Sequence, residues 1–429
     1  MAHLSSVGIG GFLSYASKKT IPLGKINTFI GTNSSGKSAL LHALALLGST
    51  LEDPSPDTSM LLAGNGINLG PFSDVIHGGK VDSPFKIDVS LAGLEQEGPS
   101  EAAPTGAQMT FRRDPQTDRP YLSAVSIYAG LQRLFTMQGR PGGGVQSILT
   151  TSAFKKPLTM DARLHHFLPM FHSSSSFSMK EWVRTRSINR FTMGVRQLLR
   201  SLVYIGPLRA PLDVFYYPAG SFPAKISSDA GNLVSFIQGQ TRLKREAKRF
   251  SKVMTDWLGA RMGLVSGTHL DRTGFGYRLR GTDPALRRVV ALSNTGFGVS
   301  QVMPLLVLLA TTPPPLLIVE QPEIHLHPDA QAQLGEIFVE LAAAGTQVFV
   351  ETHSEHLIYR LRSMVATKRL PRGLVADDIR LFHVEKKRAG SNVTPIAISG
   401  SGDLSNWPAG FFSASKQDII DLLKARAHE

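Results

Sequence analysis

Three short apolar runs, each ending at a polar group, organise this chain. "KINTFIG" (25–31) runs into a glycine-bounded loop, "LLIVE" (316–320) ends at Glu320, and "TQVFVET" (346–352) ends at Glu351 and Thr352. Largely apolar runs of this length, bounded by turn residues, read as strands buried on both faces. Between them lie stretches with apolar residues at helical spacing: "KSALLHALALLGS" with Gly48 as a stop signal, then 298–310, 328–344 and 354–367. This β–α–β–α alternation predicts a parallel sheet. "DIRLFHVEKK" and "VTPIAIS" predict a closing hairpin. "FKIDVSL" (85–91) and "QMTFRR" (108–113) alternate instead with period two, which predicts an antiparallel sheet.

From about 130 to 200 the pattern changes, with a glycine-rich break at 139–144 and a serine run in "FHSSSSFS". The expectation is an insertion, 116–200, built from two or three helices. It separates an N-terminal lobe, 1–115, from a C-terminal lobe, 201–429. There is no internal repeat and no heptad run long enough for a coiled coil. The longest apolar stretch, "VMPLLVLLATTPPPLLIVE", is cut by Pro304 and by Pro313 to Pro315, so it reads as core helix, turn and buried strand and not as a membrane span.

The chain carries no cysteine, which excludes disulfides and thiolate metal sites and fits a reducing cytoplasm. The first residues show no basic start and no cleavage-like end, so no signal peptide is expected. Net charge is +13, and the pI is near 9.9. Such a surface attracts polyanions. The charge is concentrated in "KEWVRTRSINRFTMGVRQLLRS" and "RLKREAKRFSK", which together hold twelve Lys or Arg against two Glu. Each is either a solvated helix face or a nucleic-acid surface. The candidate contacts are Arg184, Arg186 and Arg190 in the first and Lys244, Arg245 and Lys248 in the second.

"GTNSSGKS" (Gly31 to Ser38) follows the apolar strand and opens a helix, matching G-x-x-x-x-G-K-[ST]. Its backbone N–H groups and the helix N-terminus point at phosphate oxygens in that arrangement. Asn33, Ser34, Ser35, Gly36, Lys37, Ser38 and Ala39 are the candidate nucleotide-binding residues. Lys37 supplies charge to the β and γ phosphates, and the Ser38 hydroxyl is placed for magnesium. The implied cofactors are ATP and Mg2+. A phosphate loop needs a partner carboxylate, and Glu320, ending an apolar strand, is the candidate metal residue. His353, at the third strand end, is placed for a γ-phosphate or an attacking water.

In this order the phosphate loop, "LSNTGFGVSQVMPLL", "LLIVEQPEIHLHP" and "VETHSEHL" resemble the ABC-type ATPase heads. More narrowly, they are similar to the bacterial OLD-like ATPases, kin of the SMC-type heads and found in many anti-phage defence systems. "YIGPLR" and "GDLSNWPAGFF" also resemble a group of bacterial ATPases in that set. The resemblance covers about residues 1–115 and 201–429. It implies an α/β fold: an ABC-type head with a mixed or parallel core sheet, an antiparallel N-terminal subdomain and a helical insertion. Ser293, Gly296, Gly298 and Ser300 become candidates for a signature segment that reaches the other subunit's nucleotide in a homodimer. His353 becomes the switch histidine, and His325 to His327 the loop joining two subunits. Asp74 becomes a metal- and water-contacting residue, and Lys18 and Lys19 approach the nucleotide.

In such heads the residue after the metal-organising carboxylate is usually a Glu that polarises water. Here it is Gln321, whose amide orients a water but accepts no proton at neutral pH. Glu323 lies two residues on, about 6–7 Å further if the chain stays extended. The catalytic candidates are therefore Gln321, Glu323 and His353, with slow turnover expected. The last segment shows no convincing cluster of paired acids, so any nuclease or toxin activity is expected on a separate effector chain. Two readings stay open. One is an ATP-hydrolysing dimer, or a higher oligomer, that senses or clamps nucleic acid. The other is a scaffold gated by ATP binding that holds or releases a protein partner.

Overall fold

A computed structural model of the chain describes residues 2–55, 60–94, 103–141, 145–146, 162–171, 179–217 and 220–406. For 145–146, 162–163 and 179–184 it describes the backbone alone. Six strands form the central sheet: β1 (Ile26–Ile30), β2 (Val203–Ile205), β3 (Leu316–Glu320), β4 (Gln347–Glu351), β5 (Ile379–Lys387) and β6 (Gly390–Ile396). Across the sheet their order is β2-β3-β4-β1-β5-β6. The first five run parallel, and β6 returns antiparallel to β5 as the predicted hairpin.

Alternate residues of these strands serve two different cores. In β3, Leu316 and Ile318 fall in one and Leu317 and Val319 in the other; in β4, Phe349 falls in the first and Val348 and Val350 in the second. A strand covered on both faces has no solvent side, which is why these runs show no polar alternation. On the first face Phe29 stacks with Phe382 at 5.0 Å between ring centroids and lies 6.5 Å from Phe349. Helix α1 (Lys37–Glu52) is buried in that core. Helices α2 (Phe297–Ala310), α3 (Pro328–Ala343) and α4 (Glu355–Ala366) cover the opposite face. The same parity sends Glu320 and Glu351 toward the α1 side, since both continue the Leu316–Ile318 and Phe349 series.

The second large sheet is antiparallel and seven-stranded. Gln347 ties it to the central sheet. Its amide donates to the carbonyls of Leu4 (2.7 Å) and Gly24 (2.8 Å), and its carbonyl accepts from the Leu4 N–H (2.9 Å). The expected helical insertion is corrected here. Among the described residues of this segment, strands Pro120–Ala129 and Gln132–Gly139 extend this sheet, Ala162–His165 and Leu168–Phe171 form a hairpin, and one helix, Met179–Arg200, follows. Phe111, Val125 and Phe135 share one core, so the fold does not divide at residue 115. "PYLSAVSIYA" alternates only in part, so period two does not mark it clearly as a strand. Residues 95–102, the serine run and the segment from Trp407 onward lie outside the described residues.

The two basic helices rest on different cores. Met179–Arg200 places Phe191, Val195 and Leu199 in the α1 core, whereas Lys244–Met254 buries Phe250 and Met254 in the other. Among the described residues no helix is long and apolar enough to cross a membrane.

Candidate nucleotide and metal site

At the C-terminal end of β1 the chain turns through Gly31 (φ +151°), Ser34 (φ +60°) and Gly36 (φ +105°) into α1. Alternating left-handed positions make successive N–H groups converge on a concave surface, which suits an anion. A Cβ on Gly31 would lie 2.1 Å from the Val384 carbonyl, and one on Gly36 would lie 2.4 Å from Ser14 Oγ and 2.5 Å from Ser391 Oγ. The loop is thus fixed from two sides. Tyr15 Oη donates to the Gly36 carbonyl at 3.0 Å, and Ser391 Oγ donates to the Ser35 carbonyl at 2.5 Å.

The loop opens on a cleft of about 430 Å³. Its walls include Asn33, Ser34, Ser35, Gly36, Lys37, Ser38 and Ala39, all seven sequence candidates, together with His42, Gln321 and Glu351. Lys37 is 3% exposed; its ammonium donates to the carbonyls of Gly31 (3.1 Å) and Thr32 (2.9 Å) and lies 3.7 Å from Glu351 Oε1. Ser38 Oγ donates to Glu351 Oε2 at 2.7 Å. Glu320, beside Glu351 in the register of β3 and β4, instead meets His42 Nε2 at 2.9 Å. Tyr204 Oη lies 3.4 Å from the same imidazole nitrogen.

Burial lowers the Lys37 pKa against the pull of Glu351. Burial also raises the pKa of Glu351, with Glu320 adding to the effect and Ser38, Lys37 and His42 opposing it. Each partner of this ion pair is therefore pushed toward its neutral form, so the pair does not make good its own desolvation. An anion for Lys37 and a cation for the two carboxylates would supply the missing interactions. The donors are hard oxygens, a hydroxyl and carboxylates, as magnesium requires. No group of three or more His, Cys, Asp or Glu converges as a metal centre among the described residues, and magnesium bound largely through phosphate and water needs none.

The remaining candidates separate. Gln321 lines the cleft, with φ +43° and its N–H donating to the Glu351 carbonyl at 2.8 Å. The extended continuation to Glu323 does not occur: residues 322–325 form a turn, and the Ile324 N–H closes on the Gln321 carbonyl. Glu323 is turned onto the next strand end, accepting from Thr352 Oγ1 (2.8 Å) and the His353 N–H (2.6 Å). Burial raises its pKa, opposed first by the His353 bond. His353 stands outside the cleft wall, its imidazole held below its usual pKa by burial and by Lys37. Ser293, Gly296, Gly298 and Ser300 surround the N-terminus of α2 and do not line this chain's own cleft.

Asp74 is exposed on a short helix and is not part of the cleft. Lys18 pairs with Asp88 on the antiparallel sheet, and neither it nor Lys19 lines the cleft, so neither approaches the phosphate loop as expected. Lys244, Arg245 and Lys248 are exposed, Arg186 is exposed and Arg190 half-buried; the Arg184 side chain lies outside the described residues.

Glu351, His42, Tyr204 and Arg209 had no role assigned from sequence. Arg209, 6% exposed, donates to Gln301 Oε1 (3.0 Å) and to the Glu320 carbonyl (2.9 Å), joining α2 to the end of β3. Burial draws its pKa down to about 10. "YIGPLR" places Arg209 just beyond a strand end, but nothing in it marks the side chain as buried. His42, one residue in an apolar helix, carried no signal.

Over residues 171–358 the chain matches the family model described as an AAA domain, putative AbiEii toxin, type IV TA system. The matched stretch holds Glu320, Gln321 and His353 and starts after the phosphate loop. No curated protein matches the chain. Among solved structures it is similar to an SMC head domain from Thermotoga maritima, at 13% identity and TM-score 0.40, covering 92% of this chain and 100% of that one. It is also similar to an SmcHead bound to the C-winged helix domain of ScpA (14%, 0.46, 92% and 98%). A third is an Smc head domain with an extended coiled coil bound to the C-terminal domain of ScpA, derived from Pyrococcus furiosus (10%, 0.45, 99% and 100%).

Proposed function

We propose that this chain is a magnesium-dependent ATPase of ABC type that closes as a homodimer around ATP, senses or clamps nucleic acid, and controls a separate effector. One observation carries the ATP reading: the phosphate loop at the end of β1 faces two buried carboxylates at the ends of β3 and β4, with Lys37 and Ser38 between them. The loop's N–H groups and Lys37 would hold the triphosphate, and Ser38 with Glu320 and Glu351 would hold the metal. Bound magnesium would neutralise charge on the β and γ phosphates. Gln321 orients a water at the cleft wall, and Arg209 fixes the end of β3 against α2.

The dimer reading draws on the N-terminus of α2. Phe297 is 62% exposed there, its ring 5.7 Å from that of the exposed His325, beside the small residues Gly296 and Gly298. An exposed aromatic next to glycines favours a self-complementary contact. The family description of the matched stretch favours a toxin–antitoxin setting.

Gln321 favours a second reading, in which ATP binding and not hydrolysis holds or releases a protein partner, because an amide in that place takes no proton. Steady-state ATP turnover with and without DNA and RNA, at low and high salt, separates the two. The first reading expects stimulation that fades with salt and falls when Lys244, Arg245 and Lys248 are all changed to Ala. Turnover indifferent to both nucleic acids supports the second.

A further inference from the structure

We propose that Glu351, and not Glu320 alone, is the carboxylate through which the site makes nucleotide binding depend on the metal. This rests on the ATP reading above. β4 lies between β1 and β3, so Glu351 is one strand nearer to the phosphate loop than Glu320. It is the carboxylate that accepts from Ser38 Oγ (2.7 Å), it faces Lys37 at 3.7 Å, and it lines the cleft. The other two carboxylates nearby differ: Glu320 lies 2.9 Å from His42 Nε2 with its Oε1 accepting no hydrogen bond, and both oxygens of Glu323 are held by Thr352 and the His353 N–H. With 4% exposure, Glu351 has little water to screen it.

Glu351 thus holds the two groups that a bound nucleotide and its metal need, the Lys37 ammonium and the Ser38 hydroxyl. A triphosphate arriving without a cation must compete with this carboxylate for Lys37 and meets its charge at close range. A triphosphate arriving with magnesium brings the carboxylate a counterion, and Glu351 then joins Ser38 as an oxygen facing the metal. The same side chain opposes the first ligand and welcomes the second.

Equilibrium binding of ATP in EDTA and in magnesium chloride tests this, and needs no turnover. The wild type binds ATP more tightly with magnesium. Glu351→Gln binds ATP in EDTA more tightly than the wild type and loses most of the magnesium gain, a change of about tenfold or more in the ratio of the two affinities. Glu351→Asp, which keeps the charge, retains magnesium dependence and guards against a folding failure of the amide variant. If Glu351→Gln keeps the wild-type ratio, or if Glu351→Asp loses magnesium dependence as fully as the amide does, the proposal is overturned while the ATP reading stands. Wild-type protein that binds ATP under neither condition overturns the ATP reading itself.

Discussion

His42 Nε2, on α1, lies 2.9 Å from Glu320 Oε1 at the end of β3. The carboxylate is 5% exposed and Tyr204 Oη lies 3.4 Å from the same imidazole nitrogen, so His42 is placed to orient Glu320. Losing one polar contact to a buried charge costs about 1–3 kcal/mol. His42→Ala is therefore expected to raise the magnesium concentration for half-maximal turnover by about tenfold, and His42→Gln, which keeps a donor, by less. Equal behaviour of the two variants would mean that the side chain fills space and does not orient Glu320.

Gly36 combines a left-handed backbone with contacts that leave no room for a methyl group. Gly36→Ala must displace Ser14 or Ser391, or change the loop. It is expected to lower stability by about 1–3 kcal/mol and to weaken ATP binding together with it. Chemical denaturation and a binding titration on the same preparation check both effects. Unchanged stability with unchanged binding would contradict the clamped loop.

Gln321 and Glu323 make opposite predictions. Gln321→Glu puts a proton acceptor on the cleft wall and is expected to raise turnover by about tenfold or more. Glu323→Gln weakens the bonds that fix Thr352 and the His353 backbone, and is expected to lower turnover without changing ATP affinity. Steady-state rates at saturating ATP decide. A rate unmoved or lowered by Gln321→Glu would show that the amide is no brake.

Asp229 gives the fold an acid-side sensitivity. Its carboxylate accepts from the Gly231 N–H (2.9 Å) and Ser227 Oγ (2.7 Å), which hold its pKa below the ordinary value. Its backbone carbonyl accepts from the Ala210 N–H, next to Arg209. A depressed folded pKa contributes stability that is present above the unfolded value of about 3.9 and is lost as pH falls through the folded value. Asp229→Asn is expected to be less stable than the wild type at neutral pH and to lose stability less steeply below about pH 4. Urea unfolding across a pH series measures both; parallel curves would contradict the assignment.

The central sheet could be read from the chain because its strands are largely apolar runs separated by stretches of helical spacing; Gly48, expected as a stop, instead lies inside α1, which runs on to Glu52. The phosphate loop was equally plain, since its glycines are demanded by backbone geometry. The strands at 120–139 were missed because their alternation is partial and a glycine-rich stretch follows. Glu351 was visible as a strand end but not as a partner of Ser38. That relationship depends on β4 lying between β1 and β3, and strand order is set by packing across hundreds of residues. The turn after Gln321 was missed for a related reason: it is fixed by a bond to the Glu351 carbonyl, outside its own segment.

A nucleotide site at this loop requires the Lys37 ammonium to meet the triphosphate. Calorimetric titration of ATP with magnesium into the wild type and into Lys37→Ala tests it directly. The expected result is saturable binding by the wild type and at least about tenfold weaker binding by the variant, with both proteins folded. Equal affinities, or no binding by the folded wild type, would contradict it.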